Sequence, residues 1–303
     1  MNQKRTGRVV SSHGRHYIVE LPDGSTRHCF PRGKKGQAVV GDEVAITLQG
    51  TGEGAIEKIL PRRNLLYRSD QQRSKQFAAN IDQVVLVVAT EPDFSDELVG
   101  RALLGARSAD VPCLIVLNKV DLPAGLARAR QRLAPLAVVG VPILEISALD
   151  AESARAALYP HLAERTSLLL GPSGMGKSTI LNVLVPTANA ATREISTALG
   201  SGRHTTTHTR LYHMPPYAEY AGGEIIDSPG FQEFGLLHLG REEVERGFPE
   251  FAPHASDCRF YDCTHRHEPG CRVLEALKWG EIDPGRYALY CRVLEEIESA
   301  RRY

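Results

Sequence analysis

Long apolar runs and a hydrophobic leader are absent from this sequence of 303 residues. No apolar stretch approaches the ~20 residues that a membrane-spanning helix needs. The charged segment Met1–Arg5 is not followed by the apolar core of a signal peptide. Hydrophobic residues make up 42% of the chain and charged residues 24%, which is ordinary for a globular protein of about two domains. We therefore expect a cytoplasmic protein that does not contact a membrane.

The six cysteines are too unevenly spread for a disulfide framework. Three of the six lie within 14 residues, beside several histidines: Cys258, Cys263 and Cys271. In a reducing compartment such a cluster indicates a metal site. We interpret the other three thiols as packed or surface side chains: Cys29, Cys113 and Cys291.

An excess of charge of either sign is also absent, but the zero net charge hides an asymmetry. Residues 1–76 contain 14 Lys and Arg against 7 Asp and Glu, whereas the remainder contains 22 against 29. A basic first part on an acidic body favours a polyanionic partner for the first part. The alternative is a solvated, lysine-rich surface without a ligand, and charge alone does not separate the two.

Short strand-like segments with glycine turns fill the first 60 residues. Five strands are predicted, at residues 7–17, 18–21, 27–30, 39–48 and 54–59, and Asp23-Gly24 is a hairpin signal. Five short strands fit a small closed barrel, and the OB-fold is the commonest such barrel that binds nucleic acid. An SH3-like barrel without a ligand fits the same pattern. We interpret the polar, arginine-rich segment 61–80 as a linker.

From residue 81 onward, apolar strand segments alternate with helical segments, which is typical of a doubly wound α/β domain. The predicted strands cover residues 81–89, 113–117, 142–146, 167–170 and 223–226, the last of them paired with 210–214. The predicted helices cover residues 98–107, 151–163 and 177–185, and after residue 238 come helices at 241–247, 271–278 and 284–302. We therefore predict three units: residues 1–65, 66–237 and 238–303.

A phosphate-binding loop is indicated by a G-x-x-x-x-G-K-[ST] motif between the strand at 167–170 and a helix. The motif and the residue after it are Gly171, Pro172, Ser173, Gly174, Met175, Gly176, Lys177, Ser178 and Thr179. The glycines allow backbone N–H groups to surround the phosphates, and the helix directs its positive end at the anion. We expect Lys177 to reach the β- and γ-phosphates and Ser178 to bind Mg²⁺. A chance glycine loop would lack the flanking strand and helix.

Guanine specificity is indicated by Asn118-Lys119-Val120-Asp121 at the end of the strand at 113–117. The Asp121 carboxylate can accept from both the N1–H and the 2-amino group of guanine, a donor pair that adenine lacks. Lys119 can cover the ring, and in Ser147-Ala148 the backbone N–H of Ala148 can meet the guanine 6-oxo group. An N-K-x-D sequence alone can occur by accident at a strand end, but the combination is much stronger.

Two further motifs point to the magnesium ion and the γ-phosphate. Asp227-Ser228-Pro229-Gly230 follows an apolar strand, so Asp227 is expected to hold Mg²⁺ through water and the Gly230 backbone to contact the γ-phosphate. The polar run 202–209 includes Thr205 and Thr206, and one of them is the expected second hydroxyl ligand of Mg²⁺. We choose Thr205 for this role, while a polar loop without function is the alternative.

These motifs occur in an unusual order. The base motif (118–121) and Ser-Ala (147–148) precede the phosphate loop (171–178), the threonine run (202–209) and D-x-x-G (227–230). With a basic barrel before them and a Cys/His cluster after them, the order closely resembles that of the small-ribosomal-subunit-dependent, circularly permuted GTPases of bacteria. The resemblance covers essentially the whole chain. It implies an OB-fold, a permuted GTPase domain and a zinc-containing helical domain, with GTP hydrolysis stimulated by the 30S subunit during its late maturation.

Four soft ligands occur in the spacing Cys258-x4-Cys263-x-His265-x5-Cys271. Cys₃His is the donor set of a closed, tetrahedral structural zinc site, and the resemblance matches all four positions, although the spacing departs from the common C-x-x-C pairs. His254 and His267 are competing donors that we interpret as surface or packing side chains. Because four protein ligands leave no open position, the zinc is expected to be structural and to replace a hydrophobic core that this short segment lacks.

The residue that orients the attacking water does not follow the usual pattern. Many GTPases carry a glutamine directly after the D-x-x-G glycine, but here that residue is Phe231, and Gln232 is one position late. Unstimulated hydrolysis is therefore expected to be slow. We take His204 as the catalytic residue, with Arg203 as a further candidate and a group supplied by the partner as the alternative.

We expect a monomeric GTPase that binds GTP and GDP and contacts the 30S subunit and its rRNA. The proposed phosphate contacts are basic side chains of the first unit: Arg8, Arg15, Arg32, Lys34 and Lys35. The alternative function is a GTP-dependent phosphotransferase acting on a small molecule, and the intact nucleotide motifs disfavour a pure RNA-binding scaffold. Because the permuted order places D-x-x-G directly before residues 238–303, loss of the γ-phosphate is expected to move that unit.

Overall fold

A computed structural model describes residues 4–32, 37–50, 52–70, 74–188 and 208–301. The strands are β1 (Lys4–His13), β2 (His16–Glu20), β3 (Thr26–Pro31), β4 (Glu43–Gln49), β5 (Glu53–Ile59), β6 (Leu65–Ser69), β7 (Ser74–Ala79), β8 (Gln83–Ala89), β9 (Cys113–Asn118), β10 (Ile143–Glu145), β11 (Thr166–Leu170), β12 (Thr209–His213) and β13 (Glu224–Asp227). The helices are α1 (Asp96–Ser108), α2 (Pro123–Val138), α3 (Ala151–Leu162), α4 (Lys177–Leu184), α5 (Arg241–Arg246), α6 (Ala252–Ala255), α7 (Arg272–Trp279) and α8 (Pro284–Ala300). None of the helices within these ranges has the length and hydropathy of a membrane span.

Strands β1 to β5 close into a five-stranded barrel in the order β1-β2-β3-β5-β4, with β4 pairing back onto β1. Only the β3–β5 pair is parallel. Apolar side chains that alternate along these strands fill a core of their own, which includes Val9, Tyr17, Val19, Val44 and Ile46. This strand order is that of an OB-fold, so the predicted barrel is confirmed. The single strand predicted for residues 7–17 is wrong, because Gly14, with φ 63°, turns the chain between β1 and β2.

The segment predicted as a linker, residues 61–80, is instead the antiparallel hairpin β6–β7. Its inner face is apolar, and Phe77 stacks on Phe234 with the ring centroids 5.7 Å apart. The backbone of Ser69 also donates to the carbonyl of Gly235 at 2.9 Å. The hairpin therefore packs on the segment that follows D-x-x-G. The segment also contains five basic residues and few apolar ones, which is why its composition resembled that of a linker.

The α/β unit has six strands in the order β10-β9-β8-β11-β13-β12, parallel except for the antiparallel edge strand β12. The predicted alternation of strands and helices and the predicted β12–β13 pair are confirmed. Helix α2 was not predicted, although Pro123 at its first turn is a recognised start signal. Parallel strands direct their carboxyl ends to one edge, so β8, β9, β11 and β13 bring their following loops together there.

The C-terminal helices share one continuous hydrophobic core with the α/β unit. Phe248, Phe251 and Tyr290 pack against one another with ring centroids 4.9 to 5.4 Å apart. Gly100 of α1 admits Leu289 of α8 so closely that a Cβ at this position would overlap it. The expectation that this region lacks a hydrophobic core is therefore wrong, because its apolar side chains pack against one another and against α1 in a shared core.

The barrel is attached to the α/β unit in a different way. Strand β1 pairs with the edge strand β12 through Ser11–Arg210 and Ser12–Thr209, which makes the barrel continuous with the sheet. Beside this pairing, Arg8 Nη1 donates to Glu224 Oε2 at 2.5 Å. The contact also includes two apolar barrel residues, Val10 and Val40, which belong to the larger core, and the backbone N–H of Ala79 donates to the carbonyl of Val40 at 3.0 Å. Most of the barrel core stays separate from the larger core.

Candidate nucleotide site and Cys/His centre

The phosphate loop follows the fully buried strand β11 and leads into α4. Gly171, Gly174 and Gly176 have φ values of 149°, 83° and 93°, which side chains with a Cβ rarely adopt. A Cβ on Gly171 would also overlap the carbonyl group of Val87 on β8. The loop conformation therefore needs glycine at these positions. Helix α4 begins at Lys177, so the backbone N–H groups of its first turn, which have no partner within the helix, lie next to this loop.

Lys177 lies inside the loop, and only 8% of its surface is exposed. Its Nζ donates to the carbonyl oxygens of Gly171 and Pro172, both at 2.7 Å. Burial lowers the pKa of Lys177, and the nearby carboxylate of Asp227 opposes that shift. Asp227 ends β13 and is 3% exposed. The sheet therefore holds a buried cation and a buried carboxylate side by side at its carboxyl edge.

The D-x-x-G motif lies directly against the phosphate loop. A Cβ on Gly230 would lie 3.2 Å from Lys177 Nζ and 3.2 Å from the backbone nitrogen of Ser173. The Ser228 hydroxyl donates to the carbonyl of Leu169 on β11 at 3.0 Å. Because these contacts join the two motifs, a group bound in the loop also lies next to the D-x-x-G backbone.

Asn118 connects three of the predicted motifs. It ends β9 and is 2% exposed. Its Nδ2 donates to the carbonyl of Met175 at 3.0 Å, and its Oδ1 accepts from the backbone N–H of Ala148 at 3.0 Å. In this structure the Ala148 N–H, expected at the guanine 6-oxo group, is bonded to Asn118. The sequence pattern indicated Asn118 as a site residue, but its bridging of the phosphate loop and Ser-Ala is a finding of the structure.

The Lys119 side chain is held by hydrogen bonds at the same carboxyl edge of the sheet. Its Nζ donates to the carbonyl oxygens of Glu91 at 2.8 Å and Gly174 at 2.9 Å. The Thr90 hydroxyl donates to the carbonyl of Lys119 at 2.8 Å. Sequence reasoning missed Thr90 and Glu91, and their place directly after β8 was the signal that could have found them. Asp121 follows in an exposed turn at the same edge.

Some of the remaining predicted site residues lie within the described part of the chain, and the others lie outside it. Ser173, Ser178 and Thr179 are exposed at the loop and the start of α4, and Ser147 is half-buried. His204, Thr205 and Thr206, together with Arg203, lie outside the described residues. The structure therefore brings the described base and phosphate residues to one edge, while residues 202–207 of the threonine run lie outside the described residues.

Phe231, which follows the D-x-x-G glycine, points away from solvent. It is buried and packs edge-to-face on Phe234 with the ring centroids 5.5 Å apart. Gln232, the next residue, is exposed. An apolar ring fixed in the core has no group to bind water, which agrees with the expectation that Phe231 does not orient the nucleophile.

Four potential metal ligands converge in the C-terminal region. The donor atoms of Cys258, Cys263, His265 and Cys271 all lie within 4.8 Å of one another. His265 Nδ1 lies 3.6 Å from Cys258 Sγ and 3.5 Å from Cys271 Sγ, and these two sulfurs are 3.9 Å apart. With Zn–S of about 2.3 Å and Zn–N of about 2.1 Å, a tetrahedron has S···N edges of about 3.6 Å and S···S edges of about 3.8 Å. The donors fit zinc.

The loop around these ligands is held by further hydrogen bonds. His265 Nε2 lies 3.5 Å from the Glu245 carboxylate, the arrangement by which carboxylates orient metal-binding histidines. Glu268 accepts from the backbone N–H groups of Thr264 at 2.8 Å and Arg266 at 3.1 Å. Burial raises the pKa of Glu268, but hydrogen bonds from the Thr264 hydroxyl and from the backbone N–H groups of Thr264, Glu268 and His267 outweigh it and hold the pKa far below its usual value.

The two competing histidines lie elsewhere. His254 Nε2 is 3.5 Å from a carboxylate oxygen of Glu281. His267 is exposed, and neither histidine belongs to the converging donor group in the described part of the chain. The interpretation of both as surface or packing side chains agrees with this placement.

Comparison with protein families and curated proteins gives consistent matches. A family model described as RsgA GTPase matches residues 59–237, which is more than half of the chain. A protein of Bordetella pertussis, named Small ribosomal subunit biogenesis GTPase RsgA, is 64% identical over 297 residues, covering 98% of each chain. A protein of the same name from Burkholderia pseudomallei is 55% identical over 302 residues, covering 99% of this chain and 95% of the relative.

Two solved structures share the fold over nearly the whole chain. The crystal structure of YjeQ from Thermotoga maritima matches with a TM-score of 0.73 at 31% identity, covering 97% of this chain and 99% of that one. The structure of YloQ, described as a circularly permuted GTPase, matches with a TM-score of 0.70 at 26% identity, covering 98% and 96%. The order of barrel, α/β unit and helical region is therefore common to all three chains.

Proposed function

This chain belongs to the RsgA GTPase family, and on that premise we propose that it hydrolyses GTP to GDP and phosphate in late maturation of the 30S ribosomal subunit, with stimulation by the subunit. The main structural support for GTP hydrolysis is the convergence of Lys177, Asp227 and Gly230 at the phosphate loop. The name shared by the relatives supports the ribosomal role. We propose the 30S subunit and its rRNA as partners of a cytoplasmic monomer.

Recognition of the phosphates rests on the backbone and on one buried cation. When GTP enters, Lys177 exchanges the carbonyl oxygens of Gly171 and Pro172 for the β- and γ-phosphates, because a charged phosphate oxygen is the stronger acceptor. The N–H groups at the start of α4 bind the same phosphates. Ser178, Asp227 and Thr205 are the proposed holders of Mg²⁺, which supplies neutralising charge for the phosphates when bound.

Recognition of the base rests on the loop after β9. Asp121 accepts from the N1–H and the 2-amino group of guanine, and an adenine would leave this carboxylate unpaired. Lys119, held at Glu91 and Gly174, forms one wall of the pocket with its apolar stem. Asn118 keeps Ser147-Ala148 at the correct distance from the phosphate loop.

For hydrolysis we retain His204 as the residue that orients the attacking water. Phe231 occupies the usual position of a water-orienting glutamine and is buried in apolar contacts. The chain alone therefore hydrolyses GTP slowly. The 30S subunit accelerates hydrolysis by positioning His204 or by contributing a catalytic group of its own.

The Cys₃His centre is proposed to hold one structural Zn²⁺. The distances between Cys258, His265 and Cys271 support this metal, and the ion would cross-link the loop before α7 without taking part in hydrolysis. We also keep the division into residues 1–65, 66–237 and 238–303, so the β6–β7 hairpin, apart from its first residue Leu65, belongs to the second unit.

The test is GTP turnover by the purified chain alone and with 30S subunits, 50S subunits or free rRNA, each at two salt concentrations. Large stimulation by 30S only, weaker at the higher salt, is the expected result. Lys177→Ala should abolish turnover in every mixture and controls for contaminating GTPases. Equal turnover in all mixtures would remove the subunit as the trigger. Transfer of the phosphoryl group to an added small molecule, instead of to water, would favour the phosphotransferase alternative.

A further inference from the structure

The turn that carries Asp121 is tied to the end of strand β8 by one residue, Thr90. The backbone N–H of Leu122 donates to the carbonyl of Lys119 at 2.9 Å, which closes a four-residue turn with Asp121 at its third position. The Thr90 hydroxyl donates to the same Lys119 carbonyl at 2.8 Å. The position of the carboxylate that selects guanine therefore depends on a carbonyl group that Thr90 holds.

Thr90 also holds the peptide group on the other side of Lys119. Its backbone N–H donates to the carbonyl of Asn118 at 3.2 Å, directly after the last β8–β9 pair, Ala89–Asn118. The peptide groups that precede and follow Lys119 are thus both bonded to Thr90. Because φ and ψ of a residue set the relative orientation of its two flanking peptide groups, these two bonds restrain the backbone of Lys119.

The backbone conformation of Lys119 needs such a restraint. Its φ is 63°, in the left-handed region that residues with a Cβ seldom occupy. A conformation of this kind persists only where the surrounding contacts impose it, and it is common at ligand sites. With an extended Lys119, the chain would continue along β9 instead of turning, and Asp121 would occupy a different position.

Thr90 is itself fixed by its neighbours. It is 3% exposed. A Cβ on Gly125, in the first turn of α2, would lie 2.6 Å from the Thr90 carbonyl oxygen, so α2 packs directly on the Thr90 backbone. The next residue, Glu91, accepts from Lys119 Nζ through its carbonyl at 2.8 Å. Contacts from β9, α2 and the Lys119 side chain therefore hold Thr90 in one place.

We propose that Thr90 is a positioning residue for guanine recognition, which rests on the role of Asp121 in the proposed function. Thr90 acts through the turn rather than on the base: it holds the Lys119 carbonyl, and the turn then holds the Asp121 carboxylate where the N1–H and the 2-amino group of guanine can both reach it. A turn that is ordered before the ligand arrives raises affinity, because binding does not have to order it. The effect concerns the base and not the phosphates, which bind at residues 171–178.

The experiment measures the dissociation constants of GDP and IDP for the full chain by isothermal titration calorimetry. IDP lacks only the 2-amino group, so the ratio of the two constants reports on the contact with Asp121, and the unaltered chain should bind IDP at least about 10-fold more weakly than GDP. Thr90→Val keeps the shape of the side chain but removes the hydroxyl. It should weaken GDP binding about 5- to 10-fold and lower the IDP/GDP ratio at least about 3-fold. Thr90→Ser retains the hydroxyl and should behave like the unaltered chain.

Thr166→Val is the matched control. Thr166 is also buried, and its hydroxyl donates to Glu224 at 2.6 Å, but it lies at the amino end of β11. Its replacement should lower stability without changing the IDP/GDP ratio, because a general loss of stability weakens the binding of both nucleotides equally. Asp121→Ala should remove the preference for GDP and gives the lower limit of the ratio.

An unchanged ratio in Thr90→Val, or an equally lowered ratio in Thr90→Ser, would overturn the positioning role of the hydroxyl. Equal binding of GDP and IDP by the unaltered chain would overturn it together with the role of Asp121. Turnover with 30S subunits, measured on the unaltered chain, separates this inference from the proposed function. Stimulation by 30S with an unchanged ratio in Thr90→Val would reject the positioning role alone. A lowered ratio without any stimulation would retain Thr90 and reject the ribosomal trigger.

Discussion

The barrel and the C-terminal helical region are both attached to the α/β unit, but by different physical means. Most of the barrel core is separate, and the barrel is joined by the β1–β12 pair, by polar contacts such as Arg8–Glu224, and by Val10 and Val40, which belong to the larger core. The C-terminal helices share a hydrophobic core with the α/β unit, and Leu289 of α8 packs directly on Gly100 of α1. Separating two units that share a hydrophobic core costs more free energy than separating two units joined mainly by a short strand pair. Displacing the barrel from the α/β unit therefore costs less free energy than displacing the C-terminal helices.

This difference bears on how hydrolysis is transmitted. The segment after D-x-x-G packs through Phe234 against Phe77 of the β6–β7 hairpin and beside Gly105 of α1. We therefore expect loss of the γ-phosphate to act first on the hairpin and α1, which contact this segment directly. Movement of residues 238–303 as a unit stays a prediction, and the shared core implies that α1 would move with it.

The largest expected effect is at the Cys/His centre. Cys271→Ser removes one of four ligands in a buried site, so we expect loss of the metal and destabilisation by more than about 4 kcal/mol. Zinc content and thermal unfolding measure both. Cys291→Ser, a half-buried thiol outside the cluster, should retain the metal. Unchanged zinc content in Cys271→Ser would show that the centre is not a metal site.

The second effect tests the barrel as a cooperative unit of its own. Asp42 is fully buried and accepts from Arg62 Nε and Nη2, both at 2.7 Å. Asp42→Asn removes the charge that both bonds depend on, so we expect destabilisation of the barrel by about 3 kcal/mol. Hydrogen exchange should accelerate in β1–β5 and stay unchanged in β8–β11. Glu57→Gln, which weakens the more exposed pair with Arg32, should destabilise the barrel much less, because solvent screens this pair. Equal acceleration in both sheets would mean one cooperative unit.

The third effect tests the close packing of α1 on α8. Gly100→Val places a branched side chain where even a Cβ would overlap Leu289, so overpacking should cost about 2 kcal/mol. The free energy of unfolding in urea is the measurement. Ala127→Val puts the same side chain at an exposed position of α2 and should change stability by less than about 0.7 kcal/mol. A similar cost for the two variants would contradict tight packing at this interface.

The smallest effect is at the junction between the barrel and the α/β unit. Arg8 and Glu224 are about one-quarter exposed, so solvent screens their attraction. A double-mutant cycle with Arg8→Met and Glu224→Gln should give a coupling of about 1 kcal/mol. GTP affinity should not change, because the pair lies at the amino ends of β11 and β13, away from the phosphate loop. A fall in GTP affinity would mean that the junction and the nucleotide site are coupled more strongly than the packing indicates.

The parts of the fold that follow local rules were predictable. The phosphate loop needs glycine at positions of positive φ, as at Gly174 and Gly176, and such a loop between a buried strand and a helix is rare by chance. Apolar alternation likewise indicated the barrel. The β6–β7 hairpin was missed because it has few apolar positions. Its hydrophobic face forms only through a contact with a distant part of the chain, the stacking of Phe77 on Phe234. Helix α2 was missed although Pro123 marks its start.

The sequence by itself determined the chemical inventory of this protein: the loop glycines with Lys177, the order of the nucleotide motifs, and four soft donors in 14 residues. These depend on residue type and short spacing, which local backbone geometry converts directly into structure. Only the tertiary structure decided that Asn118 joins the phosphate loop to Ser-Ala, and that α8 shares a core with α1. Such contacts join residues far apart in the chain, and their free energy comes from packing and desolvation that no local pattern encodes.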